Sequence, residues 1–260
     1  MTGVGERAGP ETPGWSPPDG AYVPGEPYRP LAGLAPWIFW LLVITAAANG
    51  LSAVITLAGY GLGTYSTPAY DRLDGADIAL ALFGLLQGLV FLATAVLFII
   101  WFYRAYTNLR PLGGPEPRHG VGWTIGAWFV PVLNLILPKL MLNEIWRGSE
   151  PESSGGAGEK ATVPAFHHVW WAIWVLGFVL AVGASVDSAI SSFDSALSTD
   201  GAAVTTASGA LSIVSGLLSG VAAVLGALVV RRTSERQESR WRRLAGSPGA
   251  GQGAAGWTPA

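Results

Sequence analysis

The sequence predicts an all-α integral membrane protein: four transmembrane helices plus a proline-broken re-entrant or interfacial helical segment on the cytoplasmic side. Three observations predict it. The 260-residue chain is 50% hydrophobic and only 12% charged, about half the charged share of a soluble domain, with mean hydropathy +0.41. Its apolar residues gather into four runs that reach the roughly 20 residues a bilayer core requires. Its cations fall almost wholly on one side of those runs.

Residues 1–33 are rich in Pro and Gly and contain no apolar run, so a disordered cytoplasmic tail is expected and no cleavable signal. A membrane domain follows over 34–243, with spans at about 37–58, 78–103, 165–186 and 204–230. None of these contains Asp, Glu, Lys or Arg. Asn49 and Gln87 sit near mid-depth in the first two, where an interhelical amide bond is the expected role. Residues 244–260, rich in Gly and Ala, are expected to form a flexible C-terminal tail.

Charge sets the orientation. The 59–77 connection holds only Arg72, and 187–203 holds no cation. The 104–164 connection holds Arg104, Arg110, Arg118, Lys139, Arg147 and Lys160, and six Arg crowd the thirteen residues 231–243. With Arg7 and Arg29, fourteen of the fifteen cations share one side. That side is expected to be cytoplasmic, with both termini inside a multi-pass protein of the bacterial inner membrane. Tryptophan agrees: Trp37, Trp40, Trp101, Trp170 and Trp171 lie at inner ends, where an indole keeps its ring apolar and its N–H wet.

The segment 121–146 would break this pattern if it crossed, because either the C-terminal arginines or Arg104–Arg118 would then lie outside. It also carries Pro131 and Pro138 with Asn134 between them. Proline frees carbonyls that lipid cannot satisfy. A hairpin covered by protein is expected, rather than a kinked fifth span.

Small residues at four-residue spacing mark expected helix contacts: Ser212, Gly216 and Gly220 in the last span, Gly177 and Ala181 in the third, Gly84 and Gly88 in the second. They serve packing within the bundle in preference to a homo-oligomer interface.

Chemistry is sparse. There is no Cys, which removes disulfides, thiol catalysis and thiolate metal sites. A net charge of −2 gives no field for nucleic acid. His167 and His168 are adjacent and diverge by about 100° on a helix, so no haem pair is expected, and with His119 they suggest no metal. No Gly-x-Ser-x-Gly elbow and no phosphate-binding loop occurs. No catalytic residue, cofactor or metal is therefore expected. The polar groups that remain are Arg104, Asn108, Arg110, Asn134, Lys139, Asn143, Glu144 and Arg147 on the inner face. Arg104 and Asn108 share one helical face, as do Lys139, Asn143 and Arg147. They are expected to meet anionic lipid headgroups, or else an anionic ligand.

The blocks FYRAYTNLRPLG (102–113), GWTIGAWFVPVLNLILPKLMLNEIWRGS (122–149) and VWWAIWVLG (169–177) resemble an actinobacterial membrane family catalogued as domain of unknown function 4328. The resemblance covers about residues 30–235. It implies a Pro-rich tail before several membrane helices, and it carries no activity or catalytic residue. The expected function is a non-enzymatic membrane module, whether scaffold, regulator or partner-binding protein, with partners held through its cytoplasmic tails. A small transporter with a broken-helix polar site is the alternative, and an enzyme acting on lipid headgroups the third.

Overall fold

The computed structural model describes residues 27–61, 75–114, 116–150, 162–197 and 206–246. Among them every regular element is a helix: α1 Ala35–Gly61, α2 Gly75–Thr107, α3 Trp123–Gly126, α4 Pro131–Asn134, α5 Leu137–Gly148, α6 Ala165–Leu197 and α7 Thr206–Ala245. Four of these, α1, α2, α6 and α7, are long and apolar enough to cross a membrane. They contain the four expected spans, save that α7 starts at Thr206. The chain is a multi-pass membrane protein. The expected tails 1–33 and 244–260 lie mostly outside the described residues.

α7 is the hub, packed along both α1 and α6, while α2 lies against α1. Small residues set these approaches. A Cβ on Gly177 of α6 would sit 3.3 Å from Leu218 Cβ of α7, and one on Gly220 would sit 3.5 Å from the Ala46 carbonyl of α1. Gly226, which the spacing argument passed over, is tighter, with Trp170 Nε1 only 3.0 Å from the same construction. Ala181 and Ser212 line a cleft of about 310 Å³ between α6 and α7. Gly84, Gly88 and Gly216 meet nothing within 4 Å. Gly84 and Gly88 are exposed, while Gly216 lies between Ser212 and Gly220, which do meet neighbouring helices.

At mid-depth the Gln87 amide donates to Asn49 Oδ1 at 2.7 Å, and Ser52 Oγ donates to Gln87 Oε1 at 3.3 Å. An unpaired amide in hydrocarbon costs several kcal/mol, so the two polar interruptions satisfy each other across α1 and α2. Most large side chains along the outer face of α2, such as Leu82, Leu85, Leu89 and Phe91, are exposed, as a lipid-facing surface requires.

Two elements extend past the apolar runs. α7 has 40 residues, about 60 Å at 1.5 Å per residue against a core of about 30 Å. Its last two turns of apolar sequence continue as a polar helix from Arg231 to Ala245. Residues 28–34 are packed rather than free: Tyr28 and Leu31 are buried. The expected tail boundary at residue 33 therefore falls inside the fold.

The proline-broken segment forms a hairpin of three short helices of 4, 4 and 12 residues. Pro131 opens α4 and Pro138 falls in the first turn of α5, where their missing N–H groups are no loss. The hairpin's two ends meet on one side chain. The Tyr106 hydroxyl accepts the His119 N–H at 3.1 Å and donates to Glu144 Oε2 at 2.9 Å. Between these points Trp128 reaches Phe98 of α2 and Trp174 of α6, ring centroids 5.5 and 6.1 Å away. Phe98 precedes Tyr106 by eight residues, so Trp128 sits about 12 Å along α2 from the point where the hairpin's ends meet.

Candidate functional site

The end of the bundle where α2 and α7 run past their apolar sequence carries a folded cap. It is built from residues 28–34, the C-terminal turns of α2, the hairpin and the polar end of α7. Its core mixes fully buried apolar groups (Trp101, Phe102, Tyr106, Met141, Ile145) with fully buried polar ones.

Asn108 and Gln237 are both 0% exposed. Asn108 clamps the entering chain, accepting the Arg29 N–H at 2.9 Å and donating to the Arg29 carbonyl at 2.9 Å. The same amide donates to Gln237 Oε1 at 3.2 Å. Gln237 Nε2 then donates to the Ala105 carbonyl at 2.8 Å and to Ser149 Oγ at 3.0 Å. One turn earlier Trp101 Nε1 donates to Ser234 Oγ at 2.9 Å. Each bond joins α7 or the entering segment to a helix distant in sequence. Left alone, each of these groups would cost about 1–3 kcal/mol.

Arginine closes the ends. Arg240 donates to the carbonyls of Gly148 and Gly113 at 3.0 and 3.3 Å, and also to that of Glu150. Gly113 has φ 63°, the left-handed conformation that favours glycine, and it turns the chain out of α2. A Cβ on Gly148 would come within 2.7 Å of Leu109 Cδ2, so the buried Leu109 side chain would have to shift to admit one. Arg236 pairs with Glu150 and lies 4.3 Å from the Trp146 ring. Glu238 Oε1 accepts the N–H groups of Leu31 and Ala32 at 2.8 and 3.1 Å, and Tyr28 stacks on Trp241 at 4.8 Å. Burial and the Glu238 charge both raise the Tyr28 phenol above its ordinary value.

The inner-face residues read from the sequence do not form one site. Asn108 belongs to the cap core. Glu144 faces Tyr106 and His119, whose Nδ1 is 2.9 Å from Glu144 Oε1. Arg110 is exposed and paired with Glu116 at 2.9 Å, and Arg104 is half-buried. Asn134 ends α4 with its Oδ1 buried and without a partner. Lys139, Asn143 and Arg147 stay together along α5, with Lys139 Nζ donating to Asn143 Oδ1 at 2.9 Å. Burial lowers the Lys139 ammonium to about 8. Among the described residues no group of three His, Asp or Glu is placed to hold a metal.

Ser149, Ser234, Gln237, Glu238 and Arg240 were missed by reading charge alone. A signal for Ser234 and Gln237 exists. Val230, Ser234, Gln237, Trp241 and Leu244 repeat at four and three residues, an uncharged stripe through an arginine-rich helix. This stripe continues the buried face of α7 beyond the bilayer.

A family model described as "Domain of unknown function (DUF4328)" matches residues 66–235. No curated protein and no solved structure matches the chain.

Proposed function

The chain belongs to the DUF4328 family of unknown function, and we propose that it is a non-enzymatic membrane platform whose bundle holds a folded cap, with both chain ends, at the cytoplasmic face of the inner membrane. The observation that carries this reading is the Asn108–Gln237–Ser149 network. Its polar groups are fully buried and spent on one another and on backbone, which suits a fixed structure rather than a site that must exchange substrate. The mid-depth amides support it too. Asn49 is bonded to Gln87, and Gly220 packs against Ala46 and Asn49, so small-residue contact fills the place where a transport path would need water.

The cation asymmetry favours both termini inside, and the same charges draw the cap toward anionic headgroups. The test is reconstitution of the full chain into liposomes, paired with isolation in native nanodiscs. The expected result is no ion or small-solute flux above protein-free liposomes. It is accompanied by a stoichiometric protein partner that is lost when Gln237→Leu loosens the cap. Flux that Asn49→Leu or Gln87→Leu abolishes would overturn the platform reading in favour of a transporter.

A further inference from the structure

Lys139 and Arg147, with the exposed His168 imidazole beside them, make a cationic group at the seam between α5 and α6. Lys139, Asn143 and Arg147 stand on successive turns of α5, so the two cations flank the Asn143 amide along about 12 Å of helix. His168 lies in the first turn of α6 and is exposed. It sits within Coulombic reach of both Lys139 and Arg147.

The seam is rigid. Trp146 packs edge-on against His167 at 4.7 Å, and Trp171 Nε1 donates to the Leu135 carbonyl at 3.2 Å. The acids nearest in sequence are turned elsewhere. Glu144 is bonded to Tyr106 on α2, and Glu150 pairs with Arg236 on α7. Neither Lys139 nor Arg147 has a carboxylate within ion-pair distance among the described residues.

Two neighbouring cations without an anion, Lys139 half-buried and Arg147 exposed, are destabilised by mutual repulsion and by the desolvation of Lys139. The lowered ammonium of Lys139 reports the desolvation. An anion placed here removes both costs. Beside the cations, one residue round the helix, Ile136 and Leu140 are 55% and 46% exposed. Such a surface offers charge to a headgroup and apolar contact to its chains, a combination that favours a lipid over a soluble anion.

We infer that Lys139, Asn143, Arg147 and His168 form a binding site for the phosphate of an anionic phospholipid, with Ile136 and Leu140 against its acyl chains. The two long cations hold the phosphate oxygens, the Asn143 amide donates between them, and the first turn of α6 adds the positive end of its dipole. The inference rests on the placement of the cap at an anionic headgroup layer and narrows that contact to four side chains.

The test is native mass spectrometry of the full chain, released from detergent with phosphatidylglycerol or phosphatidylcholine added. The wild type is expected to retain one phosphatidylglycerol at least tenfold more strongly than phosphatidylcholine. Lys139→Gln with Arg147→Gln should weaken that retention about twenty-fivefold, at roughly fivefold per cation. Arg231→Gln with Arg232→Gln, at exposed positions on α7, should leave it unchanged. Lys139→Arg with Arg147→Lys keeps both charges and should keep binding, which separates loss of the site from loss of the fold. Full retention by the Gln pair alongside wild-type preference would overturn the site but not the cap's lipid contact. No phosphatidylglycerol preference in the wild type would overturn both. Displacement of the lipid by millimolar inorganic phosphate alone would reassign the site to a soluble anion and overturn the lipid.

Discussion

Gln237 Nε2 donates to the carbonyl of Ala105 at 2.8 Å, across 132 positions of sequence. Ala105 lies in the last turn of α2, where helical carbonyls lack partners of their own. A side chain from α7 therefore completes the end of α2. It does so two residues before that helix ends, fixing where the membrane bundle passes into the cap.

Replacing Gln237 with Leu should be among the most destabilising single changes in the cap. It leaves the Asn108 amide and the Ala105 carbonyl without this partner in a fully buried setting. A loss of about 2–6 kcal/mol is expected from two such groups. Glu235→Ala, which breaks only the exposed pair with Arg231, should cost less than about 1 kcal/mol. Thermal unfolding in one detergent, followed by a cap-specific probe, compares the two.

Glycine positions make a second contrast. Gly226→Val should cost about 1–3 kcal/mol by pressing on Trp170 Nε1. Gly216→Ala has open space around its new methyl and should be neutral, or stabilising by up to about 1 kcal/mol through helix propensity. The measurement is the unfolding midpoint of each variant. Equal damage at both positions would mean that Gly216 faces a second chain in the membrane.

The mid-depth pair should couple. Asn49→Leu and Gln87→Leu each break the 2.7 Å bond. A double-mutant cycle between them should give about 0.6 kcal/mol, and at most about 2. A coupling near zero would mean that lipid or water already satisfies the amides.

Orientation has a direct test in a chain without cysteine. Gly5→Cys and Ala255→Cys should resist a membrane-impermeant thiol reagent in intact cells, and Thr67→Cys and Thr199→Cys should react. Labelling of Ala255→Cys without permeabilisation would reverse the assigned sides.

Lys139 predicts a pH signature. Its ammonium is held at about 8 in the fold against 10.5 ordinarily. Between those values the unfolded chain binds more protons than the folded one, so stability rises with pH from about 8 to 10.5 and is flat in this term below 8. The side chain is only half-buried, so solvent moderates the slope. The unfolding midpoint of the wild type, measured in zwitterionic detergent, should therefore rise relative to that of Lys139→Gln across that window. Added phosphatidylglycerol should flatten it, because a bound phosphate favours the charged ammonium.

The sequence made the bundle legible through two coarse quantities. Apolar run length placed the four long helices, because the bilayer fixes how many residues must be apolar. The charge conflict that a fifth crossing creates, together with Pro131 and Pro138, pointed to a hairpin at 121–146. The cap was not legible in the same way. Asn108 stands out only as one of eight inner-face polar groups, and Ser149 and Gln237 are unremarkable until the fold brings them within hydrogen-bonding distance of it and of one another. Reading Arg231–Arg243 as a charge run hid the uncharged stripe that packs it. Gly84, Gly88 and Gly216 meet nothing within 4 Å in the chain, and a helix shows the same period whether a seam faces a neighbour or lipid.

The stacking of Tyr28 on Trp241 has a consequence for regulation. Two residues near the opposite ends of the described chain meet there, though 213 positions (241 − 28) separate them. Two weak recognition sequences, one in each terminal segment, would there act as a single bivalent grip, the second engaging at a local concentration that reaches the millimolar range for short tethers. Prising Tyr28 from Trp241 would disconnect the two without altering either sequence, turning a tight double attachment into two loose ones.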